Sequence, residues 1–253
     1  VVLEQMKKAG FISEATLNSL KQTPLGLKFK KVDHKDGLAP YFREYLRVTM
    51  TAKKPNRADY ASWQTEQYKT DSVQWETNPL YGWCNKNKKP DGSNYSLYTD
   101  GLKVYSTIDT RMQRYAEAAV EEHLGGYLQP AFDKEKKGRS YAPFSYSVAK
   151  RVDSLLYTSM KVTDRYRKLK KEGLSDNEIY KDFQKPVDMK VFTWKGEADT
   201  IMTPWDSIRY HKSFLRAGFM AMNTSGQVKA YVGGPDFRFF QYDMVNKGRR
   251  QVG

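Results

Sequence analysis

Cysteine occurs once in the 253 residues, as Cys84, so no disulfide can close within the chain, and the thiol count says little about compartment. Histidine is scarce too. His34, His123 and His211 lie far apart, with no companion cysteine and no short ligand spacing, which argues against a zinc site. Nowhere does an uninterrupted apolar run reach the length that crosses a bilayer. Acidic residues are outnumbered, 29 Asp and Glu against 43 Lys and Arg, and the net charge of +14 favours anionic partners: nucleic acid, membrane phosphates or a phosphorylated substrate. Methionine is missing from the first position, where Val1 stands with no leader before it, so the start reads as a cut. What is present suffices for one large or two small domains with a real core.

The chain is organised around its last stretch, which runs R-A-G-F-M-A-M-N-T-S-G-Q-V-K-A-Y-V-G-G from Arg216 and ends G-R-R-Q-V-G at Gly253. Residues 219–223 and 227–232 are short runs rich in β-branched and aromatic residues, with Thr224-Ser225-Gly226 between them. The pattern predicts a β-hairpin with Gly226 at the positive-φ position. Gly233-Gly234-Pro235 then breaks the second strand, and a basic turn, Lys247-Gly248-Arg249-Arg250, follows.

A hairpin of the form A-x-x-x-T-G-x-V-x-A-x-V-G-G, then an aromatic segment, then R-Q-x-G, resembles the opening of the transpeptidase domain of class A penicillin-binding proteins. In that family the nucleophile motif, Ser-x-x-Lys, comes next. The resemblance implies a wall-building enzyme whose reactive serine is expected just past Gly253, with Arg249, Arg250, Gln251 and Gly253 as the approach to it. A serine hydroxyl is a poor nucleophile until a base removes its proton, and a lysine one helical turn on can do so. The implied chemistry is an acyl-enzyme made from a stem peptide and resolved by an amine of a neighbouring strand. No catalytic residue is then expected inside this chain.

Two further stretches fall in the family's order. Residues 101–120, D-G-L-K-V-Y-S-T-I-D-T-R-M-Q-R-Y-A-E-A-A-V when read from Asp100, resemble the G-L-x-V-x-T-T-I-D-x-x-x-Q-x-x-A-E-x-A-V start of the same domain, with Ser106 where the family has Thr. Alternation of Leu102, Val104, Ser106 and Ile108 predicts a half-buried strand. A Thr110–Gln113 capping box then opens a helix carrying Met112, Tyr115, Ala116, Ala119, Val120, His123 and Leu124 on one stripe and ending at Gly125. At the other end, Val2, Leu3 and Met6 predict a helix closing at Gly10, and Ser13 caps a second with Ala15, Leu17 and Leu20, stopped by Pro24. These helices resemble the tail of the glycosyltransferase domain that precedes the transpeptidase. His34 lies where a segment resembling H-x-x-x-A-P-Y-F leads into the linker, and it has no catalytic partner in the sequence. Pro40 suits a first helical turn, with Phe42, Tyr45 and Leu46 as its apolar face.

Residues 53–99 mix Trp63, Trp75, Trp83 and several tyrosines with Lys, Asn and Gln, have poor periodicity, and read as a linker lobe packing aromatics without long elements. Residues 129–215 read as a mostly helical insertion: a long basic helix up to Gly173, a shorter one with Ile179 and Phe183, a strand through Met189, Val191 and Thr193, and a helix opened by Thr203-Pro204 and running to Leu215. Docking or spacing is its expected role. Within it, Ser147-Val148-Ala149-Lys150 matches Ser-x-x-Lys and Ser175-Asp176-Asn177 matches the Ser-Asp-Asn of acyl-transfer enzymes. Both are set aside. The first pattern fixes only two positions in a Lys-rich chain, Ser175 with Glu178 is a helix capping box, and no Lys-Thr-Gly occurs, Trp194-Lys195-Gly196 lacking the threonine.

The expected architecture is mixed α/β: residues 1–35 as the end of a glycosyltransferase domain, 36–100 as a linker lobe, and 101–253 as the first part of a transpeptidase domain, a β-sheet flanked by helices, with the insertion at 129–215. No cofactor and no metal is expected. The resemblance implies stem peptides and a lipid-linked precursor as partners of the parent protein, an envelope protein at the insertion, and an extracytoplasmic location with a membrane anchor outside this chain. No nucleic acid is expected. The reading from a different class is a non-enzymatic basic module that binds nucleic acid or an anionic envelope polymer through its +14 charge.

Overall fold

The computed structural model describes residues 1–23 and 37–248. Two compact units divide the chain, Val1–Asp33 and His34–Gly253. The first holds α1 (Val2–Lys8) and α2 (Glu14–Gln22). Gly10 turns between them at φ +80°, and the Ser13 hydroxyl accepts the Thr16 N–H at 3.1 Å as the predicted cap. Leu17 is buried, while of the predicted apolar face of α1 Val2 and Met6 are exposed and only Leu3 is half-buried.

The second unit is mostly helical, with two separate two-stranded antiparallel sheets, and the mixed α/β class holds. Its first helix, α3 (Pro40–Met50), carries Pro40 in its opening turn as expected. The buried face differs from the expected one: Tyr41, Thr49 and Met50 are inside, and Tyr45 is exposed. Tyr41 turns inward because its hydroxyl donates to the Phe240 carbonyl at 2.6 Å, a partner 199 residues away. The linker region also departs from expectation. It contains a 13-residue helix, α4 (Thr65–Thr77), none of whose residues is buried. Such a helix leaves no hydrophobic stripe to read. The short α5 (Trp83–Lys86) follows, and Gly82 before it, at φ +74°, lies beneath the Trp75 indole.

The predicted strand at 101–109 does not form. Only its end reaches the neighbouring strand, through Thr107 Oγ1 to the Val228 carbonyl at 2.7 Å and the Asp109 N–H to the Lys229 carbonyl at 2.9 Å. The residues ahead have alternation but no strand to pair with, and Val104 and Tyr105 are exposed. Asp109, not Thr110, caps α6 (Thr110–Val120), accepting from the Arg111 and Met112 N–H groups. The helix then runs on through a π-helical stretch (Glu121–Leu128) into α7 (Gln129–Lys136) and does not stop at Gly125. A Cβ on Gly125 would sit 2.7 Å from the Trp194 ring, so this glycine is a contact point and not a terminator. The packed stripe is narrower than predicted: Ala116 and Leu124 are buried with Gln113, whereas Met112, Tyr115 and His123 are exposed.

Beyond it, the long basic helix is two helices. Thr163 caps the second by accepting the Tyr166 N–H at 3.2 Å, giving α8 (Val152–Lys161) and α9 (Asp164–Lys171). Together with α10 (Asp176–Phe183) they enclose a core of Met160, Ile179 and Phe183, against which Leu169 and Trp205 pack. The strand through Met189 and Val191 is β1 (Val187–Thr193), and it pairs with β2 (Gly196–Met202), for which no partner was predicted. Trp194 and Lys195 make the turn between them, with Gly196 at φ +111°. Thr203 caps α11 (Pro204–Lys212), which ends three residues before the predicted Leu215. The last sheet is β3 (Phe219–Met222) with β4 (Val228–Val232).

Candidate functional site

The predicted hairpin forms. Phe219 pairs with Val232, Met220 with Tyr231 and Ala221 with Ala230, and a bulge after Ala221 brings Met222 opposite Val228. Gly226 turns at φ +79°, and Asn223 fastens the turn by accepting the Gln227 N–H on its side-chain oxygen at 2.8 Å. β4 is the inner strand, with Ala230, Tyr231 and Val232 buried; Phe219, Met220 and Met222 of β3 are exposed.

Two buried glutamines on the long helix hold this scaffold, and neither role is visible in the sequence. Gln113, wholly buried, treats β4 as a strand partner would: its amide donates to the Tyr231 carbonyl at 2.9 Å and its oxygen accepts the Tyr231 N–H at 2.7 Å. The two stretches that resemble one domain are thereby joined across 118 residues. Ala116 packs on Ala230 and Val232 beside this clamp. Gln129, also buried, uses its oxygen for the Leu215 N–H at 2.9 Å and the Trp194 indole N–H at 3.4 Å, and donates to the Ser213 carbonyl at 3.0 Å and to Asp133 at 2.9 Å.

After β4 the chain turns at Gly233-Gly234 and folds back to Gly248. A Cβ on Gly233 would meet Tyr41 Cδ1 at 2.6 Å and Asp243 Oδ1 at 2.7 Å, and one on Gly234 would overlap the Tyr41 hydroxyl. The returning limb is pinned by the Met244 N–H to the Gly233 carbonyl at 2.8 Å. Asp243, buried, accepts the Tyr231 hydroxyl at 2.6 Å on one oxygen and the Val245 N–H at 2.9 Å on the other. Burial and the carboxylate partner push the Tyr231 phenol upward, and burial followed by Asp236 and Asp243 does the same to Tyr41, so both hydroxyls stay protonated donors. Tyr41, Tyr231 and Phe237 form the core under the loop, with Tyr41 edge-on to Phe237 at 5.1 Å.

His211 of α11 packs against the same loop. Its ring stacks on Phe239 at 5.7 Å, and Nδ1 donates to the Ser207 carbonyl at 2.8 Å. Nε2 is enclosed with no hydrogen-bond partner. Burial, with the Arg216 guanidinium as a smaller cause, holds this imidazole below its ordinary 6.5. The neutral ring is the form the fold accepts, so its contribution is complete above the unfolded value and is lost as pH falls from there through the depressed folded value. Thermal melts from neutral to mildly acidic pH should therefore show a falling Tm that His211→Gln flattens; parallel curves for the two proteins would exclude the ring as the cause.

The approach residues Arg249, Arg250, Gln251 and Gly253 lie outside the described residues, as does His34. His123 is exposed beside Tyr127. Ser147 is exposed in a 3₁₀ turn (Tyr146–Arg151), and its hydroxyl bonds to Ser145 Oγ at 3.0 Å; no hydrogen bond joins it to Lys150 among the described residues. Ser175 makes the capping box, donating to Glu178 at 2.6 Å and accepting the Glu178 N–H at 3.4 Å. Asp176 beside it accepts from Lys170 at 2.7 Å and Tyr166 at 2.8 Å and is paired with Lys161 at 2.9 Å, contacts that hold its carboxyl far below the usual range. The Ser175-Asp176 pattern is thus engaged in holding helices, and Ser147 is engaged with Ser145 in place of Lys150. Among the described residues, no cluster of three or more His, Cys, Asp or Glu is placed to hold a metal, and no helix is long and apolar enough to cross a membrane.

No curated protein and no solved structure matches the chain. Residues 139–215, the segment in which the sequence shows no chemistry of its own, match the family model of the penicillin-binding protein middle domain, and this match relates the chain to the penicillin-binding proteins.

Proposed function

We propose that the chain serves peptidoglycan synthesis as part of a bifunctional class A penicillin-binding protein. Such an enzyme polymerises a lipid-linked disaccharide-peptide and cross-links stem peptides through a serine acyl-enzyme outside the cytoplasmic membrane. The observation that carries the reading is the Gln113 clamp, which unites the 101–120 stretch and the hairpin, the two regions of strongest resemblance, across the middle-domain match at 139–215. On this reading the described residues are scaffold. β3 and β4 back the position of the reacting serine, and the loop from Gly233 to Gly248, tied down by Tyr41 and Asp243, precedes in sequence the approach residues Arg249, Arg250, Gln251 and Gly253. The chain by itself should neither form an acyl-enzyme nor polymerise glycan.

Fluorescent penicillin tests this directly. Purified 1–253 should take no covalent label, while cells expressing the whole gene with a tag inside this stretch should give a tagged, labelled band in the envelope. Label on Ser147, or a tagged product that never reacts, would overturn the proposal.

A further inference from the structure

A cleft of about 680 Å³ opens between α7, the loop that follows it and α11. Phe132, Pro143 and Tyr210 give it an apolar wall. Lys134 and Lys137 stand exposed at its rim, and Lys136 and Arg209 are half-buried in it. The two carboxylates present, Asp133 and Asp206, are already engaged, the first by the Gln129 amide at 2.9 Å and the second by the Thr203 hydroxyl at 2.7 Å. Arg209 has an enclosed Nε without a hydrogen-bond partner and a long contact, 3.4 Å, from Nη2 to the Ser140 carbonyl. Lys136 lies over the Phe132 ring at 5.5 Å, which keeps a cation beside the apolar wall.

Lys136 is paired with Glu135 at 3.0 Å, while Lys134, Lys137 and Arg209 have no carboxylate partner among the described residues; these three cations outnumber Asp133 and Asp206 and favour an anionic ligand. A lone phosphate would fill a small part of so large a space and leave the wall wet. Clefts of a few hundred Å³ or more suit ligands with an apolar body and a few polar groups. From this combination we infer that the cleft docks an acidic peptide segment of a partner protein, its carboxylates on Lys134, Lys137 and Arg209 and an apolar side chain against Phe132, Pro143 and Tyr210. The site lies apart from the hairpin loop and does not depend on the cell-wall reading.

The probe is a fluorescein-labelled hexapeptide alternating glutamate and phenylalanine, followed by anisotropy on the full 253-residue chain. Lys134→Glu with Lys137→Glu should weaken binding by about tenfold or more, because both charges face the ligand. The same charge change on α9, Lys168→Glu with Lys171→Glu, should alter it by less than about twofold. All four lysines are exposed, so folding is expected to survive. A hexaglutamate peptide of higher charge should bind more weakly than the alternating one, a comparison that needs no variant. Equal losses in the two double variants would reduce the effect to general charge. Displacement by inorganic phosphate alone at comparable affinity would make it a small-anion site. Tighter binding of a mixed-sequence single-stranded oligonucleotide, with the same dependence on Lys134 and Lys137, would assign the cleft to nucleic acid. Each of these results, or no binding at all, overturns the peptide proposal.

Discussion

Gln113→Leu should lower the stability of the His34–Gly253 unit by about 3 kcal/mol, measured as a drop in the urea midpoint at unchanged slope. Leucine matches the volume, so packing changes little. What changes is that the Tyr231 N–H and carbonyl lose their only side-chain partners among the described residues, at 2.7 and 2.9 Å, in a region where Gln113 itself is 0% exposed. Each buried backbone group left without a partner costs about 1–3 kcal/mol. Gln113→Glu should also destabilise, since it removes the donor and sets a second carboxylate beside Glu117, which accepts the native amide at 2.8 Å. A change under about 0.5 kcal/mol in the leucine variant would mean that β4 is held by its apolar face alone, with the clamp contributing nothing.

Gly234→Ala is the other large effect. The new methyl would overlap the Tyr41 hydroxyl, which cannot move aside without breaking its 2.6 Å bond to the Phe240 carbonyl. Overpacking of this kind costs about 1–3 kcal/mol. The hydroxyl is the nearest atom, with the ring carbon Cζ next at 2.9 Å, so the hydroxyl's share of the clash is separable by a double-mutant cycle. Tyr41→Phe removes that oxygen, so alanine at 234 should cost less in the phenylalanine background than in the native one, with a coupling of about 1 kcal/mol. Additive costs would place the strain elsewhere than at the hydroxyl.

What could be read in the sequence was local. Ser13, Ser175 and Thr203 cap the helices they were expected to cap, because a capping hydroxyl acts on residues two or three positions away. The hairpin was equally legible, since Gly226 and its flanking runs carry the whole signal. The failures share the opposite property. Tyr41 faces inward on account of Phe240, Gly125 continues a helix on account of Trp194, and residues 101–106 lack a strand partner that alternation cannot supply. α4 was missed because a helix with no buried face has no period. The break at Thr163 was readable from Thr163-Asp164, but a continuous run of basic and apolar residues masked it. Of the site, the turn glycines were visible; the glutamines were not, because a polar residue in a helix gives no hint that its partner lies over eighty positions on.

The bonds made by Gln129 have a consequence for how such a chain can vary. Since one side chain gathers Ser213, Leu215 and Trp194 at the start of α7, the intervening eighty-odd residues leave and rejoin the frame side by side, and they touch it again where residues such as Phe192 and His211 pack on the loop after β4. A segment tethered in that manner can lengthen, shrink or be exchanged while its threshold keeps the same spacing. Diversity in the middle portion is then compatible with an unchanging hairpin.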